Sequence, residues 1–354
     1  MSNQTARYWR QIENGKIQCD LCPRHCQLKD GQRGFCFVRA CEGNQLVLTT
    51  YGRNTGFCVD PIEKKPLNHF LPGTPVLSFG TAGCNLGCRF CQNWESSKSR
   101  EVARGSQKAT AEQVAETAKE ANCRSVAFTY NEPIIWAEYA IDSAIACHER
   151  GIKTVAVTAG YINEGAREEF FAHIDAANVD LKSISPAFYR KLCFAELETV
   201  LETLVWLKTE TNVWIELTNL VIPGKNDDEA ELNKLSQWVC ENLGKDVPIH
   251  FSAFHPDFKM RDRSRTPAST LAKARKIAKQ NGLRYVYSGN VHDLAGDATI
   301  CPDCGEVLIQ RDWYKLLSWN LDGDKCANCG CVIAGVFEKE PGDWGAKRAP
   351  LWFR

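Results

Sequence analysis

Residues 83–95, GCNLGCRFCQNWE, place Cys84, Cys88 and Cys91 in one short loop and offer no further cysteine until Cys123. Three thiolates so close can each hold one iron of a cubane cluster and leave the fourth iron without a protein ligand. A zinc site closed by a distant donor, His69 or His255, is the plainer use of the same residues. Near the C-terminus, CPDCG (301–305) and CANCG (326–330) are two knuckles, each with a glycine to relieve the turn. Cys301, Cys304, Cys326 and Cys329 therefore read as a closed, all-thiolate zinc ribbon, with Cys331 an extra thiol beside it. Near the N-terminus, CDLCPRHC and GQRGFC supply Cys19, Cys22, Cys26 and Cys36, with His25 among them. Four thiolates suggest another closed site there, zinc in preference to an auxiliary iron–sulfur cluster, because nothing in the sequence gives such a cluster an electron to carry. In modules this short, metal binding supplies folding energy that the local core cannot. Cys41 and Cys58 have no assignment. Cys123, Cys147, Cys193 and Cys240 stand apart and read as small buried apolar groups.

Metal ligation requires reduced thiols, and the rest of the sequence agrees with that. The N-terminus, MSNQTARYWRQIENGK, is polar and lacks the apolar stretch of a signal peptide. No apolar run approaches a membrane span, so a cytoplasmic setting is expected, where thiols stay reduced. In that setting the 18 cysteines point to metal and not to a disulfide framework. Lys+Arg and Asp+Glu number 43 each, and the resulting zero net charge argues against a whole-molecule field for nucleic acid or anionic membrane. With 354 residues, 44% hydrophobic and 24% charged, the chain can build one large core with appendages.

The elements that must position these groups alternate along the middle of the chain. Apolar, often β-branched runs at 76–81, 124–130, 153–159, 178–182, 213–221, 248–254 and 284–289 read as strands buried on both faces. Helices fall between them. One starts at Thr110, with Gln113 completing a capping box; another runs from about Pro133 to Arg150, with Gly151 just past its end. Repeated strand–helix units imply parallel strands, hence an α/β barrel or a doubly wound sheet, with function at the C-terminal strand ends. Three parts follow: a Cys-rich metal-binding segment (1–74), an α/β core (75–292), and the four-cysteine domain with its tail (293–354). The cysteine loop follows the first core strand. Glu132 follows the second, Asp180 and Lys182 the fourth, His255 and Pro256 the sixth, and Asn290 the seventh.

The Cys84, Cys88, Cys91 spacing, with Phe90 just before the last cysteine, resembles the signature of radical S-adenosylmethionine (SAM) enzymes. That resemblance implies an α/β fold built as a partial (β/α)6 TIM-type barrel. It implies a [4Fe–4S] cluster on the three cysteines, its open iron chelating the amino and carboxylate groups of SAM. Reductive cleavage would give methionine and a 5′-deoxyadenosyl radical that abstracts hydrogen from a substrate, while the protein orients and excludes water. Glu132 in FTYNEP corresponds to the family's group for the SAM ammonium, although TYNE departs from the usual Gly-Gly-Glu; alone it reads as an acid at a helix N-terminus. Asp180 and Lys182 resemble the SAM-contacting pair of glycyl-radical activating enzymes, a structural ion pair being the alternative. Asn219, Pro223 and Asp227 in LVIPGKNDD, which looks like the same subfamily, read as loop-shaping.

Together DPIEKKPLNHFLPG, the cysteine loop, FTYNEPIIWAEY, HFSAFHPDFKM and YVYSGNV look like the AmmeMemoRadiSam system radical SAM enzymes over nearly the whole chain, relatives of pyruvate formate-lyase activating enzymes. The resemblance implies AMMECR-type and Memo-type partners and a reductant such as flavodoxin or ferredoxin, and leaves the substrate open. Phe90, Glu132, Asp180, Lys182, His255 and Asn290 are the expected cofactor contacts. His255 could instead be an acid/base or a hydrogen-bonded structural histidine. Glu63, Lys64 and Lys65 are expected to rim the site, a solvated charge run being the alternative. Two other readings remain: activation of a glycyl-radical enzyme, and a non-catalytic scaffold binding zinc at all three cysteine groups.

Overall fold

The computed structural model describes residues 4–100 and 106–352. In chain order its main sheet and helices are β1 (Arg53–Pro61), β2 (Pro75–Gly80), α1 (Ala111–Glu120), β3 (Ser125–Phe128), α2 (Ala137–His148), β4 (Lys153–Thr158), α3 (Glu164–Phe171), β5 (Ala176–Asp180), α4 (Leu197–Glu210), β6 (Trp214–Val221), α5 (Glu229–Leu243), β7 (Ile249–Ala253), α6 (Ala268–Gln280) and β8 (Val286–Gly289). Strands β2 to β8 pair in parallel, each with the next in the chain. Their order never reverses, so the doubly wound alternative falls: each crossover is made in one direction, and right-handed crossovers then stack the helices on one side. Among the described residues the sheet stays open, since β2 pairs with β1 and not with β8.

Burial explains why these runs are strands. Every residue of β3 and β7 is buried, as is all of β2 after Pro75, so apolar side chains face helices on one side and the sheet's interior on the other. Phe79, Phe128, Trp136 and Tyr139 interlock on the helix side. The inner side carries polar groups that satisfy one another. Glu216 of β6 accepts from His250 Nε2 (2.7 Å), Trp214 Nε1 and the backbone N–H groups of Asn68 and His69.

Three departures from the sequence reading have physical causes. β1 lies in the segment read as Cys-rich and metal-binding, where no strand was expected; it runs antiparallel to β2, and a bulge between Thr55 and Cys58 breaks its alternation. The helix expected from Pro133 begins as a 3₁₀ turn, Pro133–Trp136, before α2 takes over. The sheet also ignores the expected boundaries, since β1 comes from the N-terminal segment and Ala349–Pro350 of the tail pairs with β1. The rest of the N-terminal segment forms two small antiparallel sheets. The C-terminal segment forms a three-stranded antiparallel sheet (Thr299–Ile300, Val307–Asp312, Lys315–Trp319) and a hairpin. Its core, including Leu308, Ile309 and Ile333, packs on Tyr285 and Tyr287 at the end strand β8.

Candidate active site

The cysteine loop begins where β2 ends, and the side chain of Asn131 shapes its start. Asn131 Oδ1 accepts from Thr81 N (3.0 Å), while Nδ2 donates to Thr81 Oγ1 and to the carbonyls of Ala82 and Gly83. Gly83 has φ +88°, and a Cβ there would lie 2.2 Å from the Cys36 carbonyl oxygen. Glycine is required at that point for both reasons. Sulfurs in the loop accept backbone N–H groups two residues on, from Leu86 to Cys84 (3.4 Å) and from Asn93 to Cys91. From the far side, Gly87 N and Arg89 N donate to the carbonyls of Cys193 and Leu192, in the π-helical turn Tyr189–Cys193.

Cys193 was not expected at the site. Its thiol hydrogen-bonds to Cys88 and keeps its proton, while that bond, with Lys182 assisting and burial opposing, brings Cys88 down to about 7. Burial pushes the Cys84 and Cys91 thiols up. Sequence alone had no means to find Cys193, because its partner is a hundred positions away.

The three loop sulfurs face a cavity of about 570 Å³ at the C-terminal ends of the parallel strands, the size of an ordinary small-molecule site. Phe90, Glu132, Asp180, Lys182 and Asn290 all line it. Glu132 is held by Thr158 Oγ1 (2.5 Å), Ala159 N (2.8 Å) and Ile134 N, and burial raises its carboxyl to about 7. Lys182 Nζ lies 2.8 Å from Asp180 Oδ2 and 5.9 Å from the centre of the Phe90 ring. Burial opposes the Lys182 charge, but Asp180 and then Cys88 hold its ammonium protonated. Asn290, at φ +60°, donates to the Ala253 carbonyl.

His255 does not reach the cavity. It is exposed and bonded through Nδ1 to Gln92 (3.0 Å), so the expected cofactor contact is replaced by a neighbour of the wall. Lys64 and Lys65 do rim the site, both anchored at 2.7 Å on the buried carboxylate of Asp60, which Tyr130 and Arg348 also contact. Glu63 turns away and accepts from Gly73 N, shaping the preceding loop. Asp60, Asn131 and Arg348 are functional candidates missed from sequence; only Asn131, beside Glu132, carried a local signal. Asn219 and Asp227 bond Leu181 O and Gly224 N, a loop-shaping use, and Asn226 joins them by donating to Lys182 O.

These residues fit an iron–sulfur cluster with SAM. Three sulfurs share one wall of a cavity large enough for a nucleoside, and a carboxylate and an ion pair stand beyond them. The other cysteine groups differ from the loop and from each other. Cys301, Cys304, Cys326 and Cys329 gather with all sulfurs within 4.8 Å, Cys301 to Cys329 at 3.6 Å and Cys304 to Cys326 at 3.7 Å. Cys331 instead points its thiol at the Val332 carbonyl. Cys19, Cys22, Cys26 and Cys36 line a second, smaller cavity. Cys58 lies beside Asp60, and Cys41, Cys123 and Cys147 are buried.

The chain is similar to several known proteins. A protein of Methanocaldococcus jannaschii, itself uncharacterized, is 39% identical over 327 residues, covering 92% of this chain and 97% of that one. The pyruvate formate-lyase-activating enzyme of Clostridium pasteurianum is 24% identical over 235 residues, 59% of this chain and 92% of its own. Among solved structures, a radical SAM methyltransferase from Sphaerobacter thermophilus is similar at a TM-score of 0.49 and 16% identity, over 62% of this chain and 67% of that one. The family model of the radical SAM superfamily matches residues 79–235. That match begins in the strand carrying the cysteine loop and ends within α5, so this chain contains a radical SAM superfamily domain that includes the loop, Glu132, Asp180 and Lys182.

Proposed function

We propose that Cys84, Cys88 and Cys91 hold a [4Fe–4S] cluster, that SAM lies along Phe90, Glu132, Asp180, Lys182 and Asn290, and that hydrogen is taken from a substrate entering past Lys64, Lys65 and Arg348. The observation that carries this is the convergence of three sulfurs, and not four, on the large cavity at the strand ends. When bound, the cluster and SAM supply the radical chemistry, reductive cleavage to methionine and a 5′-deoxyadenosyl radical. The chain's own residues do the positioning. Cys193 donates to the Cys88 sulfur and lies outside the lining of the cavity that the three loop cysteines face. Glu132, fixed by three donors, offers a carboxylate for an ammonium, and Lys182 a cation for a carboxylate. The backbone bonds from Gly87 and Arg89 to Cys193 and Leu192 fix the loop against the π-turn.

The open, singly wound sheet supports the partial-barrel form of the fold. Sulfur spacings of 3.6 and 3.7 Å support a single tetrahedral zinc ion at the C-terminus, since zinc–sulfur bonds of about 2.3 Å place sulfurs about 3.8 Å apart. Lys64, Lys65, Tyr314 and Arg348 line the cavity yet lie outside residues 79–235. That favours a substrate particular to this lineage over the glycine of a glycyl-radical enzyme. The sequence resemblance supports AMMECR-type and Memo-type partners and a flavodoxin or ferredoxin as electron donor.

The test is anaerobic purification followed by iron and sulfide analysis, a spectrum of the reduced protein with and without SAM, and assay for 5′-deoxyadenosine. Cys88→Ala is expected to lose the SAM-dependent spectral change and SAM cleavage together. A Cys88→Ala chain that cleaves SAM at the wild-type rate removes the assignment.

A further inference from the structure

The N-terminal cysteines are the richest set of metal-binding side chains that the proposed reaction leaves unused. Cys19, Cys22, Cys26 and Cys36 line one cavity with Leu21, Phe35 and Ile135, with Arg39 and Asn85 completing its wall. Every sulfur accepts backbone N–H groups, from Leu21 to Cys19, Arg24 to Cys22, Phe35 to Cys26 (3.4 Å), and Val38 and Arg39 to Cys36. Spacing then separates the possible metals. Among the described residues, the C-terminal four are the set drawn within 4.8 Å of one another. The N-terminal four share a cavity without contracting that far, and the three loop cysteines behave in the same way. One zinc ion pulls its four sulfurs to about 3.8 Å, whereas four irons and four sulfides must fit between the cysteines of a cubane.

We propose that Cys19, Cys22, Cys26 and Cys36 bind a second [4Fe–4S] cluster, in place of the zinc expected from sequence, and that one electron reaches the loop site through it. The electron's destination rests on the radical SAM reading; the site itself does not. The placement supplies the route. The Cys36 carbonyl lies against Gly83, the residue before Cys84. Asn85, the residue after it, forms part of the N-terminal cavity and accepts from Arg24 Nε at 2.9 Å. On the outer side Cys26 is half-buried and Phe35 exposed, with the Arg24 guanidinium 3.8 Å from its ring centre. One flank therefore faces solvent and the other touches the loop. In balance, a low-potential flavin or iron–sulfur protein is oxidised by one electron. The N-terminal cluster is reduced and reoxidised by that electron, and no bond or proton changes there.

The test uses the full chain, reconstituted without oxygen. Wild type is expected to hold about eight irons, about eight sulfides and about one zinc; about four irons with about two zincs overturns the proposal. The Cys84→Ala/Cys88→Ala/Cys91→Ala variant is expected to keep about four irons and a reduced-cluster paramagnetic resonance signal that SAM leaves unchanged. Zinc without iron in that variant overturns the N-terminal assignment and leaves the radical SAM reading intact. A wild-type signal indifferent to SAM, beside an iron-loaded variant, defeats that reading instead, and with it the electron's destination. In Cys22→Ser, SAM cleavage driven by reduced flavodoxin is expected to fall roughly tenfold or more, and cleavage driven by dithionite to change by less than about twofold. An equal fall with both reductants overturns the electron-entry role. The wild-type metal count decides the site's identity even where Cys22→Ser fails to fold.

Discussion

Asn131 makes four hydrogen bonds to Thr81, Ala82 and Gly83, all buried, and orders the loop before any metal binds. Removing its amide strands buried partners at a cost of about 1–3 kcal/mol. Asn131→Ala is therefore expected to remain folded while loading less iron at the loop, read as a weaker SAM-dependent resonance signal. Gly83→Ala should do more. Its new methyl meets the Cys36 carbonyl in a backbone conformation that side chains disfavour, so iron at both cysteine groups is expected to fall, measured by metal analysis of the purified variant. At this scale the residues with local signatures, the three cysteines and Glu132, were named from sequence, and the structure places them on one cavity. Sequence missed Asp60, Cys193 and Arg348, whose partners are distant in the chain.

Elements were the most legible level. All seven parallel strands were anticipated because burial on both faces leaves continuous apolar runs, and the cap of α1 because its signal is local. Thr110 accepts from Gln113 N while its own N–H donates to Gln113 Oε1 at 2.8 Å. Thr110→Ala is expected to cost about 1 kcal/mol, seen as a lower denaturant midpoint with unchanged iron content, since α1 lies outside the cavity. β1 was illegible because its bulge and its Gly56 and Asp60 break the alternation that marks a strand. Its importance is nevertheless direct, since Asp60 near its end anchors Lys64 and Lys65 at the rim.

In the whole molecule, the C-terminal segment both packs on the end strand β8 and enters the site. Arg311, buried, donates to the Asn68 carbonyl, and Arg348 reaches Asp60. Cys304→Ala is expected to lose zinc and lower the unfolding midpoint while the loop still binds iron, measured by metal content and thermal unfolding. His69 adds a pH dependence to the same contact. Its Nδ1 donates to Ala334 O (2.7 Å) and its Nε2 accepts from Tyr287 Oη (2.5 Å). Burial, against the pull of Glu216, takes it down to about 4, while an unfolded histidine titrates near 6.5. As pH falls from about 6.5 to about 4, the unfolded chain takes up a proton that the folded chain refuses, so stability declines across that window. His69→Gln is expected to flatten that part of the stability–pH curve, as followed by denaturant unfolding; an unchanged slope refutes the assignment.

Sequence by itself determined which groups could do chemistry and the helix–strand rhythm that carries them, because both depend on spacing and burial along one chain. Tertiary structure decided what those groups meet. It chose single winding over double, swung His255 away from the cavity, and set Cys193 beside Cys88 and Arg348 on Asp60. It also distinguished two four-cysteine groups that spacing had read alike, one contracted around a point and one spread around a cavity. The physical reason is that metal identity depends on distances between sulfurs in space, and those distances are set by packing between segments far apart in sequence.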